Sequence, residues 1–291
     1  MKIFKIVPAL RRIWNERKLL WQPPGHFYSP IPSNEDISAH QASFIIPKNI
    51  PGIDLNEPEQ WRYYDFIKSF YAEMPFPETK TDGIRYSFDG PNYGYSDAIC
   101  YYGMIRHLKP RRIVEIGSGY SSCVALDTNE LFLSGSMELT CIEPYPELLL
   151  SIIKEEDQTA MSIIPSKLQD VNLETFSALA AGDILFVDST HISKLASDVN
   201  RILFEILPAL NSGVFIHFHD IHYPFEYIPE WVEQNRAWNE AYLLRAFLQY
   251  NEAFEIVFFN TYLEHSYPER FIKDMPLCMK NVGGSIWLRK K

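Results

Sequence analysis

Val114-Glu115-Ile116-Gly117-Ser118-Gly119-Tyr120-Ser121-Ser122 runs from a β-branched stretch, through two glycines one residue apart, into a segment with helical spacing. Gly117 and Gly119 permit a tight turn and let the backbone approach a ligand that a Cβ would block. The helix start beyond them offers free N–H groups. Working outward, residues 112–116 read as a strand and 121–133 as the helix after it. Upstream, Ser96 or Asp97 is placed to cap a helix ending near Leu108. Downstream, further strands are expected at 139–142, 162–164, 184–187 and 214–218, with helices at 146–155 and 197–210 between them. After a helix at 239–250, two more strands fall at 254–259 and 285–288, joined by a loop. Short apolar strands alternating with helices indicate an α/β fold. The expected architecture is Rossmann-like: a seven-stranded, mostly parallel sheet with helices on both faces and an antiparallel C-terminal hairpin.

The chain divides, on this reading, into an N-terminal extension at 1–90 and the α/β domain at 91–291. Residues 1–34 hold six Lys or Arg against the single acid Glu16, although the whole chain carries a net charge of −10. That acidity argues against a nonspecific nucleic-acid partner, which needs a basic face. The basic start reads either as a solvated helix or as an amphipathic one lying on an anionic membrane or partner. Prolines at 23, 24, 30, 32, 47, 51 and 58 make residues 20–60 an expected extended arm, followed by helical spacing over 61–71. Cys100, Cys123, Cys141 and Cys278 show no metal-ligand spacing and read as buried thiols, which suits a reducing, cytoplasmic setting. No apolar run approaches the ~20 residues needed to span a bilayer.

Two acids flank the glycine turn. Glu115 stands two residues before Gly117, and Glu143 ends the second strand, where an acid hydrogen-bonds ribose hydroxyls. Acid-x-Gly-x-Gly followed by this second acid resembles the first motifs of class I S-adenosylmethionine (SAM) dependent methyltransferases. Gly182-Asp183-Ile184-Leu185-Phe186-Val187-Asp188 is similar to the family's fourth strand. The resemblance implies SAM as cofactor, bound through Glu115, Gly117, Ser118, Gly119 and Glu143, with Asp188 nearby and Gln169 and Asp170 near the adenine. Glu115 would then meet the cationic methionine end. Ser121 stands where the family often has a third glycine. A dinucleotide-binding oxidoreductase is the alternative, but its Gly-x-Gly-x-x-Gly would need glycine at Ser122. A non-catalytic binding protein of the same fold is another.

Two polar clusters end the fourth and fifth strands, where open α/β sheets place ligands. They are Asp188-Ser189-Thr190-His191 and His217-Phe218-His219-Asp220-Ile221-His222-Tyr223-Pro224. Methyl transfer to oxygen needs a deprotonated hydroxyl. A histidine base supplies one route, with His222, His191 and Asp220 as candidates. A divalent cation, Mg²⁺ or Mn²⁺, supplies another, with Asp188, His219 and Asp220 as candidate ligands. Asp188 and Asp220 resemble the metal-binding aspartates of metal-dependent O-methyltransferases. In those enzymes Asn or Asp commonly follows the second aspartate, whereas Ile221 follows here. His217 reads as structural. The aromatic, acidic stretch 224–238 is either a lid over the acceptor or core packing. The arm Pro23-Pro24-Gly25-His26-Phe27-Tyr28-Ser29-Pro30-Ile31-Pro32 resembles one in bacterial methyltransferases of polysaccharide and secondary-metabolite pathways. It implies a small-molecule acceptor such as a sugar or glycan precursor.

Overall fold

The structure, a computed structural model, describes residues 21–291. β1 (Arg112–Ile116), β2 (Glu138–Ile142), β3 (Ser162–Ile164), β4 (Ile184–Val187), β5 (Phe215–His219), β6 (Phe254–Phe259) and β7 (Ser285–Lys290) form one seven-stranded sheet in the order β3-β2-β1-β4-β5-β7-β6. β1 to β5 pair in parallel, and β7 runs antiparallel to both β5 and β6. This is the Rossmann-like α/β class expected. Every residue of β4 and β5 is buried, as strands covered on both faces must be.

The last two strands are neighbours but not a tight hairpin. Two helices, Asn260–Ser266 and Pro268–Asp274, fill the connection expected to be a loop, and β7 inserts between β5 and β6. The helix before β1 spans Tyr95–Leu108 and starts from Gly94. Ser96 and Asp97 are therefore not its caps. Both are buried, with Ser96 bonded to Glu264 and Asp97 accepting from Gly284 N and Asn260 Nδ2. Their polarity serves a tertiary network, which local capping logic has no means of seeing. The helix preceding it, Glu57–Phe70, approaches so closely that a Cβ on Gly103 would lie 2.8 Å from Ile67 Cγ2.

By packing, the described residues divide into 21–46 with 227–237, and 47–226 with 238–291. The expected boundary at residue 90 has no counterpart in that division. Ile50, Leu55, Tyr63 and Tyr64 are buried, and the Asn56 side chain donates to Ile256 O. Nor is 20–60 extended throughout. Between Pro32 and Pro47 no proline removes a donor, and a helix forms at Asn34–Ser43 with a capping box between Ser33 and Asp36. The basic residues of 1–20 lie outside the described residues. Among the described residues, no helix is long and apolar enough to cross a membrane.

Candidate active site

The glycine turn leaves β1 between the ends of β2 and β4, because Ile116 pairs with Ile142 on one side and Val187 on the other. Gly117 has φ +86°, and a Cβ there would lie 1.8 Å from the Asp188 carbonyl oxygen. Only glycine allows both. The turn and the carboxyl end of β4 are consequently in direct contact. Beyond the turn the helix Tyr120–Phe132 begins.

Glu115 lies within β1, two residues before the turn. It is fully buried, and its carboxylate accepts from Ser121 Oγ at 2.6 Å, from Ser122 Oγ, and from Cys141 Sγ at 3.3 Å on the paired strand. Burial outweighs these bonds and raises its pKa to about 7. Its carboxylate ties β1 to the helix start and to β2. Ser121, the substitute for a third glycine, is explained by the same bond. Glu143 is half-buried at the end of β2, accepts from Tyr145 N at 2.9 Å, and is bonded by the Ser118 N–H. Burial raises its pKa. Ser118 Oγ and, beside Asp188, Ser189 Oγ are buried without partners among the described residues. Buried hydroxyls rarely stay unpaired, so these fit a polar ligand. Gln169 is exposed in a short turn and donates to Ala196 O at 2.9 Å, and Asp170 beside it is exposed.

The structure gathers Asp188, His191 and Asp220, whose ligating atoms all lie within 4.8 Å of one another. His191, not the expected His219, is the third member. His191 Nε2 stands 3.3 Å from Asp188 Oδ1 and 3.6 Å from Asp220 Oδ2. Its other nitrogen, Nδ1, is 2.8 Å from Glu240 Oε2. Burial alone would lower the imidazole pKa, but the bonds to Asp188 and Glu240 win and raise it to about 10. The ring is thus a cation among three carboxylates. Burial pushes the Asp188 carboxyl up, and the facing His219 and His191 more than offset that, leaving it below its ordinary value.

The four remaining points divide cleanly. His217 and His219 share one face of β5, as alternation requires, their rings 6.1 Å apart. His217 is fully buried, stacked on Phe186 at 4.1 Å, and burial holds its pKa well below the ordinary value. Its surroundings are apolar and aromatic. His219 is buried against Tyr93 at 5.2 Å, with Nε2 3.8 Å from Asp220 Oδ1. His222 is half-buried and lies against Gly284, where a Cβ would meet its Cε1 at 2.7 Å; burial lowers its pKa. Glu240 escapes a sequence reading. It is an acid in the first turn of the helix Glu240–Leu248, separated from His191 by 49 residues, and nothing local marks it.

Residues 114–221 match the model of a family described as a methyltransferase domain. An uncharacterised protein of Archaeoglobus fulgidus is 35% identical over 164 residues, which cover 54% of this chain and 73% of that one. Among solved structures, the methyltransferase PaMTH1 of Podospora anserina bound to S-adenosylhomocysteine (SAH) is 17% identical, with a TM-score of 0.45 over 90% of this chain and 99% of that one. The O-methyltransferase TomG of Streptomyces achromogenes, involved in tomaymycin synthesis and solved with SAM, is 14% identical, with a TM-score of 0.41 over 88% of this chain and 96% of that one.

Proposed function

Because the chain belongs to the class I SAM-dependent methyltransferases, we propose that it methylates a hydroxyl oxygen of a small molecule, a sugar or glycan precursor being the acceptor class its arm suggests. One observation carries this reading: the glycine turn abuts Asp188, which is clustered with Asp220 and the buried His191, both aspartates being partly exposed. A donor held at the turn would lie beside groups able to prepare an acceptor hydroxyl.

SAM, when bound, supplies an electrophilic methyl group on a sulfonium. Ser118 and Gly119 would line its approach, Glu143 would hold its ribose, and Glu115 would keep the turn in shape. The donor set of two aspartates and a histidine fits a divalent cation, which would stabilise the acceptor as its alkoxide. Asp188 and Asp220 would hold it. In a metal-free reading the base is His222, whose lowered pKa keeps its ring neutral, rather than the charged His191.

Titration with SAH is expected to show one site, weakened at least tenfold by Glu143→Ala, or roughly 1.4 kcal/mol. Labelled SAM is then offered with hydroxylated sugars, nucleotide sugars and phenols. Activity lost in EDTA and restored by Mg²⁺ or Mn²⁺ supports the cation. Full activity in chelator, lost in His222→Ala, selects the base. An enzyme that binds NAD(H) tightly and ignores SAH refutes the whole assignment.

A further inference from the structure

Ile221 directly follows Asp220 and is fully buried, so β5 contributes no next-door oxygen ligand. We propose that His191 completes the cation site with a nitrogen donor, and that Glu240 is the positioning residue that makes it one. This rests on the reading of Asp188 and Asp220 as cation ligands.

The imidazole is held on two sides. Glu240 Oε2 takes Nδ1 at 2.8 Å, and the Trp238 ring lies 4.6 Å from the imidazole centre. Only the Nε2 edge then faces Asp188 and Asp220, at 3.3 and 3.6 Å. A cation held by Asp188 and Asp220 would take the place of the Nε2 proton, and with Nδ1–H still donated to Glu240 the lone pair it meets is that of Nε2. The backbone is clasped as well. Glu240 N donates to His191 O at 3.1 Å, Ser193 N donates to Asn239 Oδ1 at 2.6 Å, and Asn239 Nδ2 donates back to Ser193 O at 3.3 Å. His191 adopts φ +58°, a left-handed conformation that a non-glycine residue keeps only when its surroundings impose it. The start of the helix Glu240–Leu248 is what imposes it. The His191 and Glu240 side chains are 5% and 1% exposed, so the ring has no room to swing away.

A second group points the same way. His219, its side chain 7% exposed, aims Nε2 toward Asp220 at 3.8 Å, while its Nδ1 has no hydrogen-bond partner among the described residues. A buried ring left this way beside two carboxylates suits a charged occupant better than an empty space. The chemistry of the donors sets the choice of ion. Mg²⁺ prefers oxygen and keeps its waters, whereas one imidazole among carboxylates favours Mn²⁺, Fe²⁺ or Zn²⁺.

The test uses the full chain and the metal alone. Mg²⁺ and Mn²⁺ are titrated into wild type, His191→Asn, Glu240→Ala and Glu240→Gln, with SAH affinity as the check on folding. Bound Mn²⁺ is also read by pulsed EPR for coupling to a directly ligated ¹⁴N. Wild type is expected to bind Mn²⁺ at least tenfold tighter than Mg²⁺ and to show the nitrogen coupling. His191→Asn loses the coupling and narrows the gap between the two ions. Glu240→Ala weakens Mn²⁺ about 10–100-fold, whereas Glu240→Gln, which can still accept from Nδ1–H, stays within about threefold. Wild-type Mn²⁺ binding without nitrogen coupling overturns His191 as a donor. Equal Mn²⁺ affinity in wild type and Glu240→Ala overturns the positioning role. In either case Asp188 and Asp220 remain as ligands. No binding of either ion to wild type removes that underlying reading, and this proposal with it.

Discussion

Gly117→Ala joins the two halves of the site in one substitution. The added methyl would lie 1.8 Å from the Asp188 carbonyl oxygen, so one of the two must move by more than 1 Å. Neither moves freely. Asp188 N donates to Ile116 O at 2.9 Å, continuing the β1–β4 ladder, and Gly117 N donates to Ile142 O at 3.0 Å on the other side. Alanine at φ +86° adds a left-handed cost of ~1–2 kcal/mol. Forcing the two chains apart adds about 1–3 kcal/mol, as for other overpacked positions. The expected loss of stability is therefore about 2–5 kcal/mol. Gly182 supplies the control: its φ is +89°, yet a Cβ there meets nothing within 4 Å. Gly182→Ala should lose only the ~1–2 kcal/mol of the backbone term. Urea unfolding measures both variants, and SAH titration reads the site. Gly117→Ala should bind SAH at least tenfold more weakly, with Gly182→Ala unchanged. Equal destabilisation of the two, with wild-type SAH affinity in both, would refute the contact between the turn and β4 as the reason for glycine.

Arg85 is 4% exposed at its side chain and pairs with Asp127 and Asp157, themselves 1% and 5% exposed. Arg85→Ala strands two buried carboxylates, and urea unfolding should show a loss of about 3–5 kcal/mol. Glu264 is buried, which raises its pKa to about 8, so the folded state holds its proton more tightly than the unfolded state. Its contribution is complete below the unfolded value near 4.5 and is lost as pH rises toward 8. Glu264→Gln should accordingly lose less stability than wild type between those pH values; parallel profiles would contradict this. Glu115→Gln keeps an acceptor but adds donors where Ser121 and Ser122 already donate. A drop in SAH affinity of tenfold or more is expected by titration.

The sequence by itself determined the sheet, the glycine turn and the two polar loops at the ends of β4 and β5. These are written in short-range patterns: runs of β-branched residues, paired glycines, and polar clusters at strand ends. Strand edges shifted by a residue, as at β5, where His219 is still within the strand. The tertiary structure decided the rest, because each remaining answer depends on groups far apart in the chain. Ser121 and Ser122 turn Glu115 into a latch between β1 and the helix start. The connection between β6 and β7 is helical, and its Asn260 and Glu264 pair with the Asp97 and Ser96 that had passed for caps. Above all, the pairing of His191 with Glu240 was hidden from the sequence. A hydrogen bond spanning 49 residues leaves no periodicity and no motif in the sequence; it exists only once the helix start has been folded against the loop.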